Sequence, residues 1–68
     1  MKLYWPMAEV KDQSVFGNKL WTYEGTADRA TAEKTFFYWA LSGYRITKAW
    51  IEVRDGDDII ETIPYYDS

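Results

Sequence analysis

"DRATAEKTFFYWALSG", residues 28–43, decides how the rest of the chain is read. An aspartate opens the stretch and a glycine closes it. Asp28 suits a helix N-cap, because its carboxylate can accept from the free N–H groups of the first turn, and Thr26 is the runner-up. Gly43 suits the residue just past the helix, where the left-handed conformation costs glycine little. The spacing predicts a helix over about 29–42, close to the usual length. With Gly43 in that position, Trp39 and Tyr44 occupy the two places that touch in a Schellman motif.

Inside the helix stand four aromatics in a row, Phe36 to Trp39. A helix resting on one neighbour cannot turn all four toward it. At about 100° per residue, Ala30, Phe36, Phe37, Ala40 and Leu41 form one apolar arc, with Glu33 inside it. Tyr38 and Trp39 fall among Thr31, Lys34, Thr35 and Ser42. The arc predicts that Phe37 and Leu41 face the core, with Phe36 at its margin, and that Tyr38 and Trp39 point away.

Outward from the helix the pattern is strand-like on both sides. "KLYWPMAEV" (2–10) alternates Leu3, Trp5 and Met7 against Tyr4, Pro6 and Ala8. Proline cannot donate to a ladder, so Pro6 predicts an edge position for this strand. Lys11 to Ser14 and Gly17-Asn18 read as loop signals. "KLWTYEG" (19–25) alternates Leu20, Thr22 and Glu24 against Lys19, Trp21 and Tyr23. After the helix, Ile46, Trp50, Ile51 and Val53 suit a third strand. Asp55-Gly56 is the preferred pair for a two-residue type I′ hairpin, which would set Arg54 opposite Asp57 and Ile51 opposite Ile60. Residues 59–66 make the last strand, with Pro64 marking an edge or a strand end. The expected fold is a single α+β domain over residues 1–68, in the order β-β-α-β-β. Its antiparallel sheet carries one helix on one face. The other face, with Trp50, Tyr65 and one row from the first two strands, has no helix left to cover it.

Composition limits the chemistry. The chain has 68 residues and lacks both cysteine and histidine. No Ser-His or Cys-His nucleophile is possible, no disulfide can form, and the usual zinc ligands are absent. No Gly-rich phosphate loop appears. The acids of "DGDD" (55–58) and Glu61 lack the alternating spacing of a calcium loop, so they read as a hairpin turn. Glu33 reads as a surface carboxylate near the first helical turn. No catalytic residue, cofactor or metal is expected.

A chain of this size is marginal unless something adds to its core. Its thirteen aromatics can hardly all fit inside one small core. Some are therefore expected in an exposed cluster, which marks a binding surface. The net charge of −3 is unevenly placed. From Glu52 onward six acids face the single base Arg54, a balance of −5, while residues 1–51 carry five acids and seven bases.

These features predict a small non-enzymatic protein-interaction module, in one version an inhibitor that presents carboxylates in place of phosphates. Tyr38, Trp39 and Trp50 are its expected anchors, and Asp55, Asp57, Asp58 and Glu61 would steer a basic partner. A homodimer is expected. The alternative is a single-stranded nucleic-acid binder that uses surface aromatics such as Trp21, Tyr23, Tyr38 and Trp50 with Lys19, Lys34 and Lys48. The acidic balance and the lack of clustered bases weigh against it. The N-terminus lacks the apolar core of a signal peptide, and no stretch approaches the length of a membrane span, so a cytoplasmic protein without membrane contact is expected. In size and composition the chain resembles small accessory proteins of bacteria and their phages.

Overall fold

The computed structural model describes residues 1–11 and 18–67. The elements are β1 (Lys2–Lys11), β2 (Asn18–Thr22), α1 (Arg29–Leu41), β3 (Arg45–Asp55) and β4 (Asp58–Asp67). They build the expected α+β fold, a four-stranded antiparallel sheet with one helix packed on one face. The sheet order is β2-β1-β3-β4. The helix carries the chain over β1, so β2 and β3 run parallel with β1 between them. Lys11 and Asn18, which read as loop, are strand ends. The other expected loop residues between them lie outside the described residues.

The helix is capped as its sequence predicts. Asp28 Oδ1 accepts from the Ala30 N–H at 3.1 Å, and its second oxygen accepts from the Thr31 hydroxyl at 3.1 Å. At the other end Gly43 has φ +87°. The Gly43 N–H donates to the Ala40 carbonyl at 3.1 Å and the Tyr44 N–H to the Trp39 carbonyl at 3.3 Å, the two bonds of a Schellman motif.

Three expectations need correction. β1 is central rather than an edge. Tyr4 exchanges both backbone hydrogen bonds with Thr26, at 2.7 and 3.0 Å, so by the alternation of an antiparallel ladder the Pro6 nitrogen also faces the β2 side. The β1–β2 register begins at Met7↔Thr22, and residues 23–25 lie outside the ladder. The missing donor of Pro6 falls in that gap, which is why a proline is tolerated in a central strand.

The hairpin turn lies one residue later than expected. Asp55 and Asp58 pair, leaving Gly56 and Asp57 as the loop. Gly56 takes φ +61°, while Asp57 has no positive φ. That pattern fits a type II′ turn, whose first central position favours glycine. Ile60 then bulges, so Arg54 faces Ile59 and Ile51 faces Ile63.

The helix is rotated by about a third of a turn from the expected phase. Ala32 and Phe36 are buried against Ala49 and Ile51, and Trp39 packs onto the same cluster. Phe37, Leu41, Ala30 and Ala40 are exposed instead. Apolar residues are spread almost evenly around this helix, so two stripes competed for the sheet. The stripe with Ala32 at its centre lets the helix approach β3 closely, and it brings Trp39 to Trp21 of β2 with ring centroids 5.8 Å apart. Trp21 also meets Tyr44 at 4.3 Å, closing the C-terminal end of the helix onto β2.

Candidate interaction surface

The described residues divide the aromatics among three places. The first is the helix-covered layer, where Phe36 and Trp39 stand 6.0 Å apart. Trp39, expected outside, belongs here because the helix is turned.

The second is the helix-free face of the sheet. Lys48, Trp50, Glu52 and Arg54 alternate along β3 and share this side with Trp5 and Met7 of β1. They interlock. Lys48 Nζ lies 5.7 Å from the centre of the Trp50 ring, and Trp50 Nε1 donates to Glu52 at 3.4 Å. Arg54 donates to Glu52 Oε1 at 2.6 and 3.1 Å and stacks over Trp5 at 4.5 Å. Met7 beneath this layer is buried. Trp5 in turn lies so close to Gly25 that a Cβ there would sit 2.5 Å from its ring. Trp50 is thus half-buried within an interlocked layer, and its outer side borders a groove of about 350 Å³ with Lys48, Thr62, Pro64 and Asp67.

The third place is the outer side of α1 and its flanks. Phe37, Tyr38 and Leu41 are 66%, 70% and 69% exposed. The backbone of the helix lies over β1 and β3, and it reaches β4 only through side chains such as Phe36. Along that uncovered flank runs an apolar groove of about 360 Å³, lined by Phe36, Phe37, Ala40, Tyr44, Ile46, Ala49, Tyr65 and Tyr66. Tyr65, expected on the helix-free face, lines it because β4 bulges. Trp50 pairs with Pro64 and Ala49 with Tyr66, so Tyr65 between them turns to the helix side and meets Phe36 at 4.6 Å. On the other flank Tyr23, Lys34, Tyr38 and Trp39 border a second groove of about 430 Å³.

The acidic hairpin is separate from all of these. Asp55 pairs with the N-terminal ammonium at 3.0 Å, while Asp57, Asp58 and Glu61 are exposed and make no ion pair among the described residues. Asp55 lies six positions along β3 from Ala49 in the groove, about 20 Å of strand. The residues expected to act together are therefore dispersed. Tyr38 lies on the helix exterior, Trp39 is half-buried between the core and the second groove, Trp50 is on the opposite sheet face, and the carboxylates are at one end.

Sequence reasoning missed Phe37, Leu41, Tyr44 and Tyr66 as surface residues and set Tyr65 on the wrong face. The signal for the first two was present, since they lay in the apolar arc assigned to the core. No three Asp or Glu side chains among the described residues converge as a cation site. No helix is long and apolar enough to cross a membrane. The chain matches no protein-family model, no curated protein and no solved structure.

Proposed function

We propose that this chain is a non-catalytic, cytoplasmic protein-interaction module whose contact surface is the outer side of α1 with the groove beside β4. The observation that carries the reading is the trio Phe37, Tyr38 and Leu41. Three large side chains, each about two-thirds exposed, stand together on the one helix among the described residues. Exposed apolar clusters rimmed by polar residues mark sites that another molecule covers. The tyrosines around the groove add hydroxyls that can hydrogen-bond at the rim of a contact while their rings fill its centre. The unpaired carboxylates of the hairpin would act at long range, raising the association rate of a basic partner more than the lifetime of its complex.

The test is capture from a native lysate by immobilised wild-type chain and by Phe37→Asp. A protein retained by the first and lost from the second, whether another copy of this chain or a different protein, is the expected result. No difference between the two baits sinks the reading. For a captured partner, reversing Asp57 and Asp58 to lysine should slow association at low salt and matter little at high salt.

The nucleic-acid alternative is supported by less. Its candidate residues split between the two sheet faces, with Lys48 and Trp50 on one and Trp21, Tyr23 and Lys34 on the other. Tighter binding of single-stranded DNA or RNA after the Asp57 and Asp58 reversal would favour it, because the change removes repulsion from phosphates.

A further inference from the structure

We infer that a second copy of this chain covers the face formed by the outer side of α1 and the groove beside β4, with Phe37 of each copy entering the groove of the other. The inference rests on reading this face as an interaction surface, and it names the occupant.

Shape is the first argument. A two-fold contact is isologous, so one patch must supply both the protruding group and the recess that receives it. Phe37 protrudes from the helix at the border of a recess of about 360 Å³, walled by Phe36 and Ala40 on one side and Tyr65 and Tyr66 on the other. Both halves of a self-complementary contact are thus on one face.

Charge is the second. A surface that meets its own copy meets its own charges. No residue lining the groove is charged, and a turn before the exposed trio Phe37, Tyr38 and Leu41 stand two charges of opposite sign, Lys34 and Glu33, the latter paired with Arg29 at 3.1 Å. The other candidate for self-pairing fails this requirement. The β4 edge brings Asp58, Glu61 and Asp67 and no base, so every antiparallel register with its copy lacks a compensating charge. Pro64 also removes one donor from the strand.

Area is the third. Phe37, Tyr38, Leu41, Tyr44, Tyr65 and Tyr66 are between 46% and 70% exposed. At roughly 200 Å² per large side chain, they offer about 700 Å² per copy. A stable interface takes about 800 Å² from each partner. The need for this area is visible in the core, where three of the eight buried hydrophobics among the described residues are the alanines Ala8, Ala32 and Ala49.

Sedimentation equilibrium of the full chain, from low to high micromolar concentration, tests the inference. Wild type should show a monomer–dimer equilibrium. Phe37→Asp should raise the dissociation constant by about a hundredfold or more, as loss of a central anchor does. Asp57→Lys, on the distant hairpin, should leave it within about twofold. Circular dichroism checks that Phe37→Asp keeps its helix and sheet. Should that variant unfold, Phe37→Ala replaces it, and the wild-type unfolding midpoint should rise with protein concentration in any case. Two results overturn the inference: a wild type that stays monomeric with a concentration-independent midpoint, or a dimer that tolerates the Phe37 change. A monomer that captures a different protein through Phe37 also overturns the homodimer, while leaving the interaction-module reading in place.

Discussion

The two faces of the sheet are closed by opposite means, and each is open where the other would be expected to fail. The face under the helix has an aliphatic floor of Ala49 and Ile51 and a helix to cover it, yet it keeps a groove where α1 stops short of β4. The face without a helix has no described element over it, yet Met7 there is buried. Its cover is made of side chains lying flat: Trp5, Arg54, Glu52 and Trp50 joined edge to edge by stacking and hydrogen bonds. Long amphipathic side chains can shield apolar surface with their stems and rings while their charged ends stay wet. A single helix of thirteen residues, by contrast, spans too little width to shelter four strands. The lesson is that the uncovered side of a small sheet need not be its binding side.

Four substitutions test that contrast, in falling order of expected effect. Phe36→Ala removes the central contact between helix and sheet and should cost about 3–5 kcal/mol in urea unfolding. Gly25→Ala should come next, at about 1–3 kcal/mol, because the new methyl forces Trp5 from its place and disturbs the layer from its rim. Arg54→Met keeps the stem but loses the stacking and the Glu52 bonds, and about 1–2 kcal/mol should be lost. If Arg54→Met proves neutral, the helix-free face is an ordinary solvated surface and the contrast collapses. Phe37→Ala should change stability least, by about 0.5 kcal/mol or less at concentrations too dilute for self-association. A Phe37 effect as large as that of Phe36 would restore the helix phase that the sequence pattern favours.

Much of the architecture was legible because it depended on local signals. Asp28 and Gly43 mark the helix ends through hydrogen bonds within a few residues, and the period-two rows of β1 survive into the sheet unchanged. What misled was every inference that needed a long-range partner. The sense of the helix was ambiguous because Phe36, Phe37, Tyr38 and Trp39 offer apolar surface on every side. Trp21 and Ala49, distant in sequence, settled it. Pro6 pointed to an edge because the rule about proline assumes an unbroken ladder, and the gap opposite it could not be foreseen. The Tyr65 bulge follows Pro64, but a strand proline marks an edge as readily as a bulge, so its neighbours alone did not choose between them. The candidate surface suffered most, since a residue is exposed only by virtue of what fails to reach it.

The placement of β1 carries one more consequence. This strand is first in the chain and sits in the interior of the sheet, bonded to β2 on one side and to β3 on the other. Its longer partnership is with residues 45–55, most of a chain length away. The β3–β4 hairpin can close as soon as its turn is made, whereas β1 must wait for the crossover to bring β3 alongside, and closing so large a loop is slow. During that interval the inner edge of β3 stands bare, with Ala49, Ile51 and Val53 along it. Pulsed hydrogen exchange during refolding should find amides of β3 bonded to β4 protected before those of β1, and simultaneous protection of all four strands would refute this sequence of events. The chain is thus most prone to aggregate not as a native molecule but as a hairpin awaiting its own beginning.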